Sequence, residues 1–135
     1  MNAKNLVKLA KPWFEHGDRD LSDAKLLLRE GGFPNTICFH CQQAVEKYLK
    51  GYLVYNGLDI KDEFKIHDLI KLLKYCRKFN TIFDEYQEEA EILNLYYIES
   101  RYPADTPQDY LDTEVKQTIE YAEEIIDAIK KLINY

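Results

Sequence analysis

The sequence predicts an all-α fold, an up-and-down antiparallel bundle of about five helices. Three observations predict it. Apolar residues recur at three- and four-residue spacing through most of the chain. No run alternates polar and apolar residues as a half-buried strand would. Gly and Pro fall between the periodic stretches as punctuation. A chain of 135 residues suits one domain over 1–135, with a core large enough to fold.

Residues 13–30 form the first expected helix, with Trp13, Phe14, Leu21, Ala24, Leu27 and Leu28 as its stripe. Residues before Pro12 could add a turn or two. Gly31-Gly32 supplies a left-handed stop, and Pro34 opens a second helix near its first turn. That helix runs to about Asn56-Gly57, and a charged loop follows over 58–65. A third helix is expected from His67 to Phe79, carried by Leu69, Ile70, Leu72, Leu73 and Cys76. A fourth is expected from Phe83 to Arg101, ended by Pro103. Thr106-Pro107-Gln108-Asp109 has the pattern of a helix start, with Thr as cap and Pro at the first position. The last helix then carries Leu111, Val115, Ile119, Ala122, Ile125, Ile126, Ile129 and Ile133 to the end.

Composition bounds the partners. Net charge is −6, so no global basic field draws the protein to nucleic acid or membrane, and phosphate contacts need a local patch. No apolar run approaches the roughly 18 residues of a membrane span, and no signal peptide is expected at the N-terminus. Three cysteines, an odd and small set, fit reduced thiols in a cytoplasm. Eleven tyrosines suggest an interface or groove, although Tyr also packs helices routinely.

The second helix carries the sharpest signal. At about 100° per residue, Ile37, Cys38, Cys41, Ala44, Val45, Tyr48, Leu49, Tyr52 and Leu53 share one arc. Gln42 lies within that arc and Glu46 just beyond its edge. A half-buried amide needs partners, since an unpaired one costs about 1–3 kcal/mol. A neighbouring helix, a second subunit or a ligand could each supply them. Lys47 and Lys50 make a basic strip, as do Lys71, Lys74 and Lys78. Both strips serve either phosphates or a solvated face. Cys38 and Cys41 have the spacing of half a zinc site without its second half, so the expected role is core packing and no metal is assigned. His67 is a possible cap or catalytic group at the head of the third helix, and His16 a surface residue. Arg101, before a Pro-broken loop, either caps terminal carbonyls or grips a phosphate.

Taken in order, the stop at Gly31-Gly32, Phe39-His40-Cys41-Gln42-Gln43-Ala44-Val45-Glu46-Lys47-Tyr48-Leu49-Lys50, His67-Asp68-Leu69 and Arg101-Tyr102-Pro103 resemble the HEPN family, the higher eukaryote and prokaryote nucleotide-binding domain. The resemblance covers residues 13–133. It implies a helical bundle and a homodimer, often encoded beside a minimal nucleotidyltransferase in a toxin–antitoxin-like pair. Active members that cleave RNA without metal carry an Arg followed, four to six residues on, by a His. Arg101 matches, but Thr106, Pro107 and Gln108 stand where the His belongs. That departure argues against ribonuclease activity and for the binding branch.

The resulting expectation is a non-catalytic, cytoplasmic partner protein without a cofactor. It would bind a nucleotide or RNA phosphate, dock a nucleotidyltransferase, or both. The site candidates are Gln42, Glu46, Lys50, His67, Arg101 and Tyr102. Arg101 and Lys50 would hold phosphate, Gln42 and Glu46 would bond polar groups, and Tyr102 would stack a base. Gln42 and Arg101 are expected to open onto one crevice. The alternatives are a ribonuclease with a displaced general base, His67 or His16, and a purely structural interaction module.

Overall fold

A computed structural model describes residues 2–60, 66–99 and 111–134 of the chain. Its helices are α1 (Ala3–Arg29), α2 (Pro34–Tyr55), α3 (Leu69–Arg77), α4 (Gln87–Asn94), α5 (Tyr96–Glu99) and α6 (Asp112–Ile133), with a 3-10 turn over Thr81–Tyr86 before α4. No strand occurs among the described residues, so the all-α expectation holds.

The helix ends follow from local chemistry. Asn2 caps α1 by accepting from the Asn5 amide at 3.0 Å. At the other end Gly31 takes φ +76°, and the amides of Gly32 and Gly31 reach the carbonyls of Leu27 and Leu28. Pro34 occupies the first turn of α2. The expected start of the first helix at Trp13 is corrected, because α1 runs through Pro12. A proline strips a hydrogen bond from the carbonyl four residues back. Here that residue is Lys8, and both Lys8 and Pro12 are exposed. Water can therefore satisfy the freed carbonyl.

The third helix is shorter than expected. It starts at Leu69 because Asp68, not His67, is its cap, accepting from the Ile70 amide at 2.9 Å. Asn94 of α4 accepts from the Leu69 amide at 2.8 Å and fixes the same end. The expected fourth helix is divided. Asn80 accepts from the Ile82 amide at 2.9 Å and opens the 3-10 turn, and Leu95 separates α4 from α5. The last helix begins at Asp112, and the expected Thr106–Pro107 start lies outside the described residues.

α2 is the central element, with fourteen buried positions against α1, α3 and α6. α1 and α2 are antiparallel, as their short connection requires. Their closest approach runs through two glycines. A Cβ on Gly17 would lie 2.5 Å from the Tyr48 ring, and one on Gly51 would lie 2.6 Å from the Phe14 ring. Phe14 and Tyr48 meet at 5.2 Å between centroids. α6 crosses α1 in the opposite sense, pinned by Lys25–Glu123 at 3.0 Å and Asp18–Lys130 at 3.7 Å. α3 runs in the same sense as α2. Cys76 of α3 lies against the Leu49 carbonyl of α2, and His67 lies against Gln42. The same alignment sets His67 against Gln42 and Glu46 of α2.

Candidate functional site

The polar residues that the sequence places on and beside the apolar arc of α2 converge at its contact with the head of α3. Gln42, Glu46 and Lys50 are one helical turn apart, so one stripe of α2 carries all three. They are 0%, 4% and 5% exposed. Glu46 lies at the centre. One carboxylate oxygen accepts from Gln42 Nε2 at 3.3 Å, and the other accepts from Lys50 Nζ at 3.2 Å. His67 Nδ1 lies 3.1 and 3.2 Å from the two oxygens. A carboxylate surrounded by three donors accepts from each, so the proton of this contact sits on Nδ1 and Nε2 is turned away from Glu46.

Each inner residue is satisfied by another. Gln42 Nε2 also donates to the His67 carbonyl at 3.2 Å, and Gln42 Oε1 accepts from Gln43 Nε2 at 2.7 Å. Of the three partners conceived for the Gln42 amide, the structure supplies a neighbouring segment of the same chain. Lys50 lies between Glu46 and the Trp13 ring, 5.8 Å from its centroid. The basic strip expected for Lys47 and Lys50 is thereby corrected. Both side chains turn to carboxylates, Lys50 to Glu46 and Lys47 to Asp20. Apolar surroundings make an unpaired ammonium far more costly than a paired one.

His67 is the member that faces outward. Its side chain is 45% exposed, against 5% for that of Glu46. Its ring lies flat on Tyr97 of α5, with centroids 4.6 Å apart and planes 12° apart. A buried carboxylate thus holds one edge of an accessible imidazole and an aromatic ring supports one face. Such a group can donate to or accept from a ligand, and it can move a proton in a fixed direction. Arg101 and Tyr102 lie outside the described residues, so the expected crevice between Gln42 and Arg101 is not part of this geometry.

One polar cluster was not expected from the sequence. Asp20 of α1 receives His40 Nδ1 at 3.0 Å on one oxygen and Lys47 Nζ on the other. Burial pushes the Asp20 carboxyl up, but the bonds and charges of His40 and Lys47 outweigh it and leave the pKa below the usual value. The signal was present: Asp20 stands three residues after Gly17 and four before Ala24, inside the buried stripe of α1. The cysteines are core residues. Cys38 and Cys41 are fully buried, and burial raises both thiols, Cys38 to about 11. Among the described residues no three His, Cys, Asp or Glu side chains are grouped to hold a metal ion. No described helix is long and apolar enough to cross a membrane.

A helical bundle with a polar stripe on its central helix and an anchored histidine at its edge defines the class. Within that class the sequence matches the model of the HEPN domain over residues 10–132, and the chain belongs to the HEPN family. It is 25% identical to "Putative toxin MJ1304" of Methanocaldococcus jannaschii, over 94% of this chain and 90% of that protein. Two crystal structures share the fold. The protein TT1696 from Thermus thermophilus superposes with a TM-score of 0.79 at 27% identity, covering 90% of this chain and 96% of its own. ST0689, described as an archaeal HEPN homologue, gives 0.72 at 25% identity, covering 92% and 97%.

Proposed function

We propose that this HEPN protein binds a nucleotide or nucleic-acid phosphate through His67, as the binding member of a toxin–antitoxin-like pair. The observation that carries this reading is the accessible imidazole fixed by a buried carboxylate and stacked on Tyr97. The Nε2 edge of His67 would meet a phosphate oxygen, and its ring would lie against a base. In this reading Glu46 fixes the imidazole, while Gln42 and Lys50 hold Glu46 rather than touching ligand. Lys50 is thereby moved from the phosphate role that the sequence suggested. Arg101 and Tyr102 keep the roles of phosphate grip and base platform as part of the proposal. The relative named "Putative toxin MJ1304" supports the pair, and a small nucleotidyltransferase is the partner that the family resemblance implies.

Glu46 and His67 also favour a second reading. A carboxylate that orients an imidazole is the arrangement of a general base, which would let His67 replace the histidine missing after Arg101 in an RNA-cleaving enzyme. Incubation of the purified protein with short single-stranded RNA, in parallel with calorimetric titration, separates the two. Binding without cleavage, lost in His67→Ala, supports the first. Cleavage lost in the same variant supports the second. An RNA that is neither bound nor cut contradicts both.

A further inference from the structure

His67 is not the only imidazole held by a carboxylate on this surface. His40 presents Nδ1 to Asp20 at 3.0 Å, as His67 presents its own to Glu46. The Asp20 side chain is 13% exposed and that of His40 25%. The inner atom is thus fixed and the ring remains reachable. Rings connect the two histidines. Phe39 lies 6.2 Å from His40 and 6.3 Å from Tyr97, and Tyr97 lies 4.6 Å from His67, all between centroids. None of the four rings is fully buried. Local sequence explains the row. Phe39 and His40 are neighbours on the outer side of α2, while α5 and the residue before Asp68 bring Tyr97 and His67 to the same edge.

A row of aromatic rings, tilted by 56° and 33° at Phe39 and stacked at His67–Tyr97, with a hydrogen-bonding imidazole at each end, suits a ligand that alternates flat bases with phosphate oxygens. Base–aromatic stacking tolerates any base, because every base has a π-face. A buried apolar core would make no use of two imidazoles anchored on carboxylates, and a bare phosphate would make no use of the rings between them.

We infer that His40, positioned by Asp20, forms a second subsite, so that the ligand is a single-stranded oligonucleotide spanning at least two nucleotides from His67 to His40. This inference rests on the proposed role of His67 and extends it along α2. Asp20 is a positioning residue, since it acts through His40.

The test is titration calorimetry with 5′-phosphorylated adenosine mono-, di- and trinucleotides at one salt concentration. For the natural protein, affinity should rise about tenfold from mono- to trinucleotide as further bases stack. His40→Ala should reduce that rise to about threefold or less while leaving mononucleotide affinity unchanged. Asp20→Asn, which keeps the ring but frees it, should lose part of the rise and serves where the alanine variant folds poorly. His67→Ala should weaken every length. A merely structural role for His40 or Asp20 would move all lengths together, which would overturn the subsite. Equal affinity for all lengths, or a full rise in His40→Ala, would also overturn it while the His67 reading stands. Binding of no length would overturn both and leave the row of rings to a protein partner.

Discussion

The two sides of α2 solve burial in opposite ways. Toward α1, space is made mainly by removing side chains, beside one polar cluster at Asp20: Gly17 admits the Tyr48 ring, and Gly51 admits Phe14. Toward the head of α3, charged groups are buried and made to satisfy one another around Glu46. The first side gains mainly from close contact, with the Asp20 cluster as its one buried polar group among the described residues. The second depends on its three buried members, Gln42, Glu46 and Lys50, because each of them left alone would be an unpaired polar group in an apolar setting. A network of that kind is a costly way to join two segments, and it fixes one accessible histidine. This is why the candidate site is centred on the α3 side, where the most exposed histidine is held.

The largest expected effect breaks the network at its centre. Glu46→Ala leaves Lys50 buried without its carboxylate and should cost about 3–5 kcal/mol in chemical denaturation. The double variant Glu46→Leu with Lys50→Met should recover much of that loss, since an apolar pair of similar volume does not carry the desolvation of two charges. Full additivity of the two changes would contradict the network. On the opposite side, Gly17→Ala should cost about 1–3 kcal/mol through overpacking against Tyr48 and the Ala44 carbonyl. A smaller loss, about 1–2 kcal/mol at neutral pH, is expected for Asp20→Asn.

Asp20 also gives that comparison a pH signature. Its folded pKa lies below the ordinary 3.8, so the carboxylate's contribution is complete above that value and is lost as pH falls through the lower folded value. Thermal melts should therefore show the natural protein and Asp20→Asn converging as the pH is taken from about 5 to below 3. A constant gap would show that the carboxylate charge is not what holds this cluster. The thiols should register only the packing. With Cys38 raised to about 11 and buried, a thiol reagent at neutral pH should react slowly with the folded protein and rapidly once it is denatured.

How much of this was legible in the sequence differs between the same two sides. The apolar arc of α2 and the helical stretch of α6 follow from spacing alone, because burial on one face repeats with the helix period. Gln42 was legible as an amide needing a partner. The identity of that partner was not, since the His67 carbonyl is 25 residues away along the chain. Periodicity carries no information about such pairings. For the same reason Lys50 and Lys47 look like a solvated strip until their carboxylates are seen. The 3-10 turn and the break at Leu95 were hidden because the same three- and four-residue spacing suits both kinds of helix. The position of Asp20 within the α1 stripe marks it as a buried polar group.

The most direct measurement of the central claim is the affinity of His67→Ala for a short 5′-phosphorylated single-stranded RNA, set beside its melting temperature. His67 is the most exposed member of the network, so its loss should change stability by about 1 kcal/mol or less. Its loss should nonetheless weaken binding of the RNA by about tenfold or more. A variant that melts like the natural protein and still binds the RNA with the same affinity would contradict the claim that this imidazole is the group the network exists to hold.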